Sequence, residues 1–141
     1  MVRATLVALL AAAPIAAATP PVAPPPKVSG AGSAPPPAWI ERPAAPSRWL
    51  AYGSFCWKTS CVDFIPPAMR PDLPRVAVRI GTTVAFHLGF KPSRLRLELI
   101  GGRSWTLQPA RVSTWRVARL GTFSLTAKGA GGSASYAIGL G

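Results

Sequence analysis

The sequence predicts an all-β fold, an immunoglobulin-like antiparallel β-sandwich of about seven to eight strands. Three observations carry that expectation. From Trp49 onward apolar and polar residues alternate with period two, the mark of strands with one buried and one wet face. Glycine- and proline-rich breaks punctuate these runs at hairpin spacing. No convincing amphipathic helix period interrupts them.

Taken in order, the chain opens on Met1-Val2-Arg3, an apolar run from Ala4 to Ala13, a break at Pro14, and Ala16-Ala17-Ala18. A basic start, a short apolar stretch and small residues at a cut site describe a secretory signal peptide over residues 1–18, too short to span a bilayer. Residues 19–46 hold ten prolines in 28 positions. Proline lacks an N–H and resists helix and sheet ladders, so this stretch is expected to be a Pro-rich disordered linker, extended and semi-rigid, interrupted by an apolar spot at Trp39-Ile40 that either docks back on the domain or stays free. The folded domain is then expected over residues 47–141.

Within that domain, Leu50–Trp57 and Cys61–Phe64 read as a hairpin. In an oxidising compartment Cys56 and Cys61 form a structural disulfide across it, since four intervening residues do not suit a redox pair and a lone histidine cannot complete a metal set. Pro66-Pro67, Pro71 and Pro74 then mark a strand-free crossing. Apolar alternation follows at Val76-Val78-Ile80, Val84-Phe86-Leu88-Phe90, Leu95-Leu97-Leu99, Trp115-Val117, Phe123-Leu125-Ala127 and Ala134-Tyr136-Ile138-Leu140. Gly129-Ala130-Gly131-Gly132 has a strand after it rather than a helix, so it is a hairpin turn and not a phosphate loop.

The segment Gly53-Ser54-Phe55-Cys56-Trp57, then Cys61-Val62-Asp63, then Gly81-Thr82-Thr83-Val84-Ala85-Phe86, resembles a group of small secreted or lipid-anchored β-domains of Gram-positive bacteria. That group carries Gly-(Ser/Thr)-Tyr-x-Trp, Cys-x-Asp and Gly-x-x-(Val/Ile)-x-Phe. This chain has Phe55 where Tyr is usual, and it adds Cys56. The resemblance implies a bacterial envelope β-domain over most of residues 50–140, and it brings no activity with it.

Composition narrows the chemistry. The chain has 16 Lys+Arg against 4 Asp+Glu and one histidine, a net charge of +12. Only Arg3, Lys27, Arg42 and Glu41 precede residue 47, so +10 of that charge belongs to the expected domain. His87, set by parity on the wet side of its strand, has no orienting acid or nucleophile legible in the sequence. Asp63 reads as a turn or pairing carboxylate beside Trp57. No catalytic residue, metal ligand or cofactor is therefore assigned, and the chain is expected not to be an enzyme.

Arg75, Arg79, Arg94, Arg96 and Arg116 fall on the wet parity of expected strands. If such strands are neighbours, they make an anion-attracting sheet face. The expected function is a secreted or envelope-associated, non-catalytic binding module. It would hold an anionic envelope polymer, an acidic glycan or a protein partner, with no nucleic acid partner and no transmembrane segment in the mature chain. The alternative is a small secreted hydrolase or inhibitor using Asp63, His87 and the disulfide hairpin.

Overall fold

The computed structural model describes residues 18–30 and 32–141, so the expected signal peptide lies almost wholly outside the described residues. The strands are β1 (Trp39–Glu41), β2 (Arg48–Trp49), β3 (Ala51–Tyr52), β4 (Phe55–Trp57), β5 (Ser60–Val62), β6 (Arg75–Val76), β7 (Thr83–His87), β8 (Arg94–Leu99), β9 (Ser104–Thr106), β10 (Val112–Arg116), β11 (Gly121–Gly129) and β12 (Gly132–Leu140). One 3-10 turn, Pro67–Met69, breaks the pattern. Two sheets pack face to face: sheet A, in the order β10-β7-β1-β2, and sheet B, built on β5-β4-β12-β11-β8-β9 with β3 and β6 also bonded to β12. All pairs are antiparallel except β6 with β12. The fold is a β-sandwich, as the alternation predicted.

Strand number exceeds the expected seven to eight because several strands are only two or three residues long. Leu50–Trp57 is one example. Cys56 stands opposite Ser133 and Tyr52 opposite Tyr136, so three residues face two on β12. This is a β-bulge, and it divides the expected strand into β3 and β4. Gly53 sits at the bulge, where an added Cβ would fall 2.4 Å from the Ser135 hydroxyl oxygen. The expected strand over Val76–Ile80 shortens to β6, because the chain then leaves sheet B to reach β7 in sheet A. β9 has no counterpart in the expected set.

The larger correction concerns residues 19–46. β1 lies inside sheet A, between β7 and β2, with Ile40 opposite both Phe86 and Arg48. Ala38 and Ile40 are 0% exposed. The domain therefore begins well before residue 47. Proline did not prevent this, because the prolines themselves stay out of the ladders. Pro35 and Pro36 instead present carbonyls to the core: Tyr52 Oη donates to the first at 2.6 Å and Tyr136 Oη to the second at 2.7 Å. Upstream, Ser33 Oγ donates to the Trp57 carbonyl at 2.8 Å, and Trp49 Nε1 donates to the Ala23 carbonyl at 2.7 Å. The Pro-rich stretch is a docked strap that bridges the two sheets.

The core lies where the inner faces meet. Leu95, Leu97, Phe123, Leu125, Ala134, Tyr136 and Ile138 come from sheet B, with Ile40, Val84, Phe86 and Trp115 from sheet A. One side is closed by Trp105, Trp115 and Phe123, whose ring centroids lie 5.1–6.2 Å apart. The end beneath the β11–β12 turn is closed by Trp57 against Phe90 at 4.8 Å.

Candidate functional site

The outer face of sheet B is where the charge collects. On β8, Leu95 and Leu97 point into the core, so Arg94, Arg96 and Glu98 point out. On β11, Phe123, Leu125 and Ala127 are buried, which turns Ser124, Thr126 and Lys128 outward. The register sets Lys128 directly opposite Arg94, and Thr126 directly opposite Arg96. The row continues from Lys128 through Ser133 to Cys56 and Cys61, and the next from Arg96 through Thr126 to Ser135. Directly opposed residues have Cα atoms about 5 Å apart, and Arg94 and Arg96 are about 7 Å apart along the strand.

The face is open at this end and roofed at the other. Residues 63–74 fold back over sheet B. Phe64 N donates to Ser54 Oγ at 2.9 Å, and the Arg70 guanidinium donates to the Tyr52 carbonyl while gripping both oxygens of Asp72 at 3.0–3.1 Å. That grip holds the Asp72 carboxyl below its usual range. The 3-10 turn then lies near Thr122 and Gly139, and Ala137, outward by parity, is 0% exposed.

What remains uncovered is a surface of three cations among hydroxyls. Among the described residues Arg94, Arg96 and Lys128 make no ion pair; the only Arg–carboxylate pair is Arg70–Asp72. Arg96 Nη2 donates to Ser104 Oγ at 2.7 Å rather than pairing with Glu98 two residues along. Two cations placed directly opposite each other on a sheet repel, at roughly a few tenths of a kcal/mol to 1 kcal/mol. An anion bound between them would remove that cost.

Of the five arginines expected to share a face, the structure brings together Arg94 and Arg96. Arg75, paired with Gly139, lies on the same sheet but far along it, its stem packed where a Gly139 side chain would be. Arg79 is in the crossing between the sheets. Arg116 stands opposite Thr83 in sheet A. The third cation of the patch, Lys128, was not among the five. Its signal was present, since it continues the Ser124-Thr126 parity of β11, but the adjacent Gly129-Ala130-Gly131-Gly132 run drew it into the turn.

His87 lies on the outer side of its strand, as parity predicts, but among neighbours the sequence did not show. It is half-buried, stacked on Trp39 at 3.6 Å and 6°, with Nε2 3.9 Å from Glu41 Oε1. The nearby acid was invisible to sequence reasoning because residue 41 was assigned to the linker. Burial pushes the imidazole below its ordinary pKa, and Glu41 opposes the shift. Asp63 follows β5 at the far edge of sheet B and is exposed, so His87 and Asp63 belong to different sheets. The disulfide hairpin lies with Asp63, and the three parts of the alternative reading do not converge. The Cys56–Cys61 bond itself forms as expected, across a directly opposed pair on β4 and β5.

Grooves open on sheet A, where residues 18–22 and the Pro43–Ser47 turn frame about 520 Å³ over Glu41, Thr83, Ala85 and Thr114. Among the described residues no cluster of His, Cys, Asp and Glu is large enough for a metal ion, and no helix is long and apolar enough to cross a membrane. The chain matches no known family model, no curated protein and no solved structure.

Proposed function

We propose that this protein is an exported, non-catalytic module of a bacterial envelope that holds an anionic polymer on the outer face of sheet B. The observation that carries the reading is the Arg94–Lys128 pair with Arg96 beside it. These are cations opposed across adjacent strands, making no ion pair among the described residues, on the uncovered half of a sheet. Arginine suits the role because its planar fork binds phosphate or carboxylate through two parallel hydrogen bonds. The surrounding hydroxyls of Ser104, Thr126 and Ser133 add donors that suit a polymer bearing both charge and hydroxyls, whereas Ser135 Oγ already donates to the Ser54 carbonyl at 2.6 Å.

Export supports the same reading. The basic start, apolar run and small residues before Thr19 fit a secretory leader, and an exposed Cys56–Cys61 bond fits an oxidising compartment. N-terminal sequencing of protein recovered outside the cytoplasm should begin at Thr19.

The test is retention on an insoluble anionic wall polymer across a salt series. Wild type is expected to bind at low salt and to elute steeply as salt rises. R94E/R96E/K128E is expected to pass through unretained. Unchanged retention of that variant would refute the assignment.

A further inference from the structure

We infer that the free edge of β10 is a docking strand for an extended acidic peptide of a partner protein. This inference stands apart from the polymer face, which lies on the other sheet. Among the described residues six strands are paired on one side only: β2, β3 and β6 with two residues each, β5 and β9 with three each, and β10 with five. Of these, β10 alone offers a ladder of useful length.

The register shows which backbone groups are free. Leu88 N donates to the Arg111 carbonyl at 2.7 Å, and Val117 N donates to the Thr82 carbonyl at 2.8 Å. With antiparallel period two, residues 111, 113, 115 and 117 therefore bond to β7. Val112, Thr114 and Arg116 have their N–H and C=O groups turned away from β7, and no backbone partner takes them among the described residues. Those three residues also share the outer face of sheet A, where Val112 is 50% exposed. A bare row of alternating donors and acceptors is the template for strand addition.

Charge selects the occupant. Arg111, Arg116 and Arg119 are all exposed around this strand, and none pairs with an acid among the described residues. A second copy of this chain would bring its own strongly cationic edge to the same place. An antiparallel partner strand would instead set an acidic residue opposite Arg116 and an apolar one, four residues later, opposite Val112. Such a peptide gains ladder hydrogen bonds for affinity, and the Arg116 and Val112 positions give it direction.

The experiment uses the chain from Thr19 and a blocked five-residue probe with Glu first, Val last and Thr between, beside a probe with Lys in place of Glu. Amide exchange and chemical shifts are followed through a titration. The Glu probe is expected to slow exchange of the Val112, Thr114 and Arg116 amides at least tenfold, while the Lys probe leaves them unchanged. T114P removes one free donor without touching the β7 ladder, and is expected to abolish protection. If T114P does not fold, N-methylation of the probe's facing amides makes the same test from the other side. R94E/R96E/K128E should bind the probe as wild type does. Equal response to both probes, no protection by either, or self-association through this edge would each overturn the proposal.

Discussion

Single residues show how much of this fold rests on a few special contacts. Gly132 begins β12 at φ +135°, and an added Cβ there would lie 2.1 Å from the Cys56 carbonyl oxygen. Backbone cannot yield as a flexible side chain would, so Gly132→Ala is expected to destabilise the chain by more than about 1 kcal/mol in denaturant unfolding. His87 gives a prediction in pH. Because its folded pKa lies below the ordinary value near 6.5, the unfolded chain binds the proton more readily there. Stability is therefore full above that value and falls as pH drops through it toward the folded pKa. His87→Gln should flatten this dependence as pH falls below about 6.5. A melting temperature equally pH-dependent in both chains would contradict the burial and stacking argued for His87. Neither feature was legible beforehand, since the Cys56 approach and the Glu41 neighbour depend on strand pairings far apart in sequence.

Among the elements, β1 and the strap before it change the account most. Composition marked residues 19–46 as linker, and by composition alone that was the reasonable reading. The signal was Trp39-Ile40, an apolar spot in the tether that is too short to display a period and so left its docking undecided. Three residues suffice because β7 and β2 supply ladder partners on both sides and the core accepts Ile40 completely. Two tyrosines fasten the strap, and both stay un-ionised as donors: burial lifts Tyr52 to about 12 and Tyr136 higher still. A chain starting at residue 47 should thus fail to give cooperative unfolding, whereas one starting at Thr19 should fold. Ile40→Ala should cost about 2–5 kcal/mol in the longer chain. If the chain from residue 47 were to unfold as cooperatively as the longer one, β1 would not be part of the domain. The longer strands β8, β11 and β12, by contrast, were readable almost residue by residue, because each has enough alternating positions to fix which side is buried.

For the whole molecule, alternation and turn chemistry define the sandwich, and parity defines which arginines face water. What parity cannot define is which strands are neighbours. That is why five arginines read as one set are split between two sheets and a crossing, and why Lys128 joins Arg94 instead. Of the 16 Lys+Arg, the long-range order of the sheets places Arg94, Arg96 and Lys128 on the uncovered half of sheet B and Arg111, Arg116 and Arg119 around β10 of sheet A.

In the proposed function, position rather than net charge governs anion binding. This is tested most directly by two variants that reverse the same number of charges: R94E/R96E/K128E on sheet B, and R79E/R116E/R119E elsewhere. The measurement is the salt concentration at half-elution from an immobilised wall polyanion. The first variant is expected to lose retention at low salt while the second elutes close to wild type. Equal losses in the two variants would show that bulk charge alone is responsible, and would contradict the proposed function.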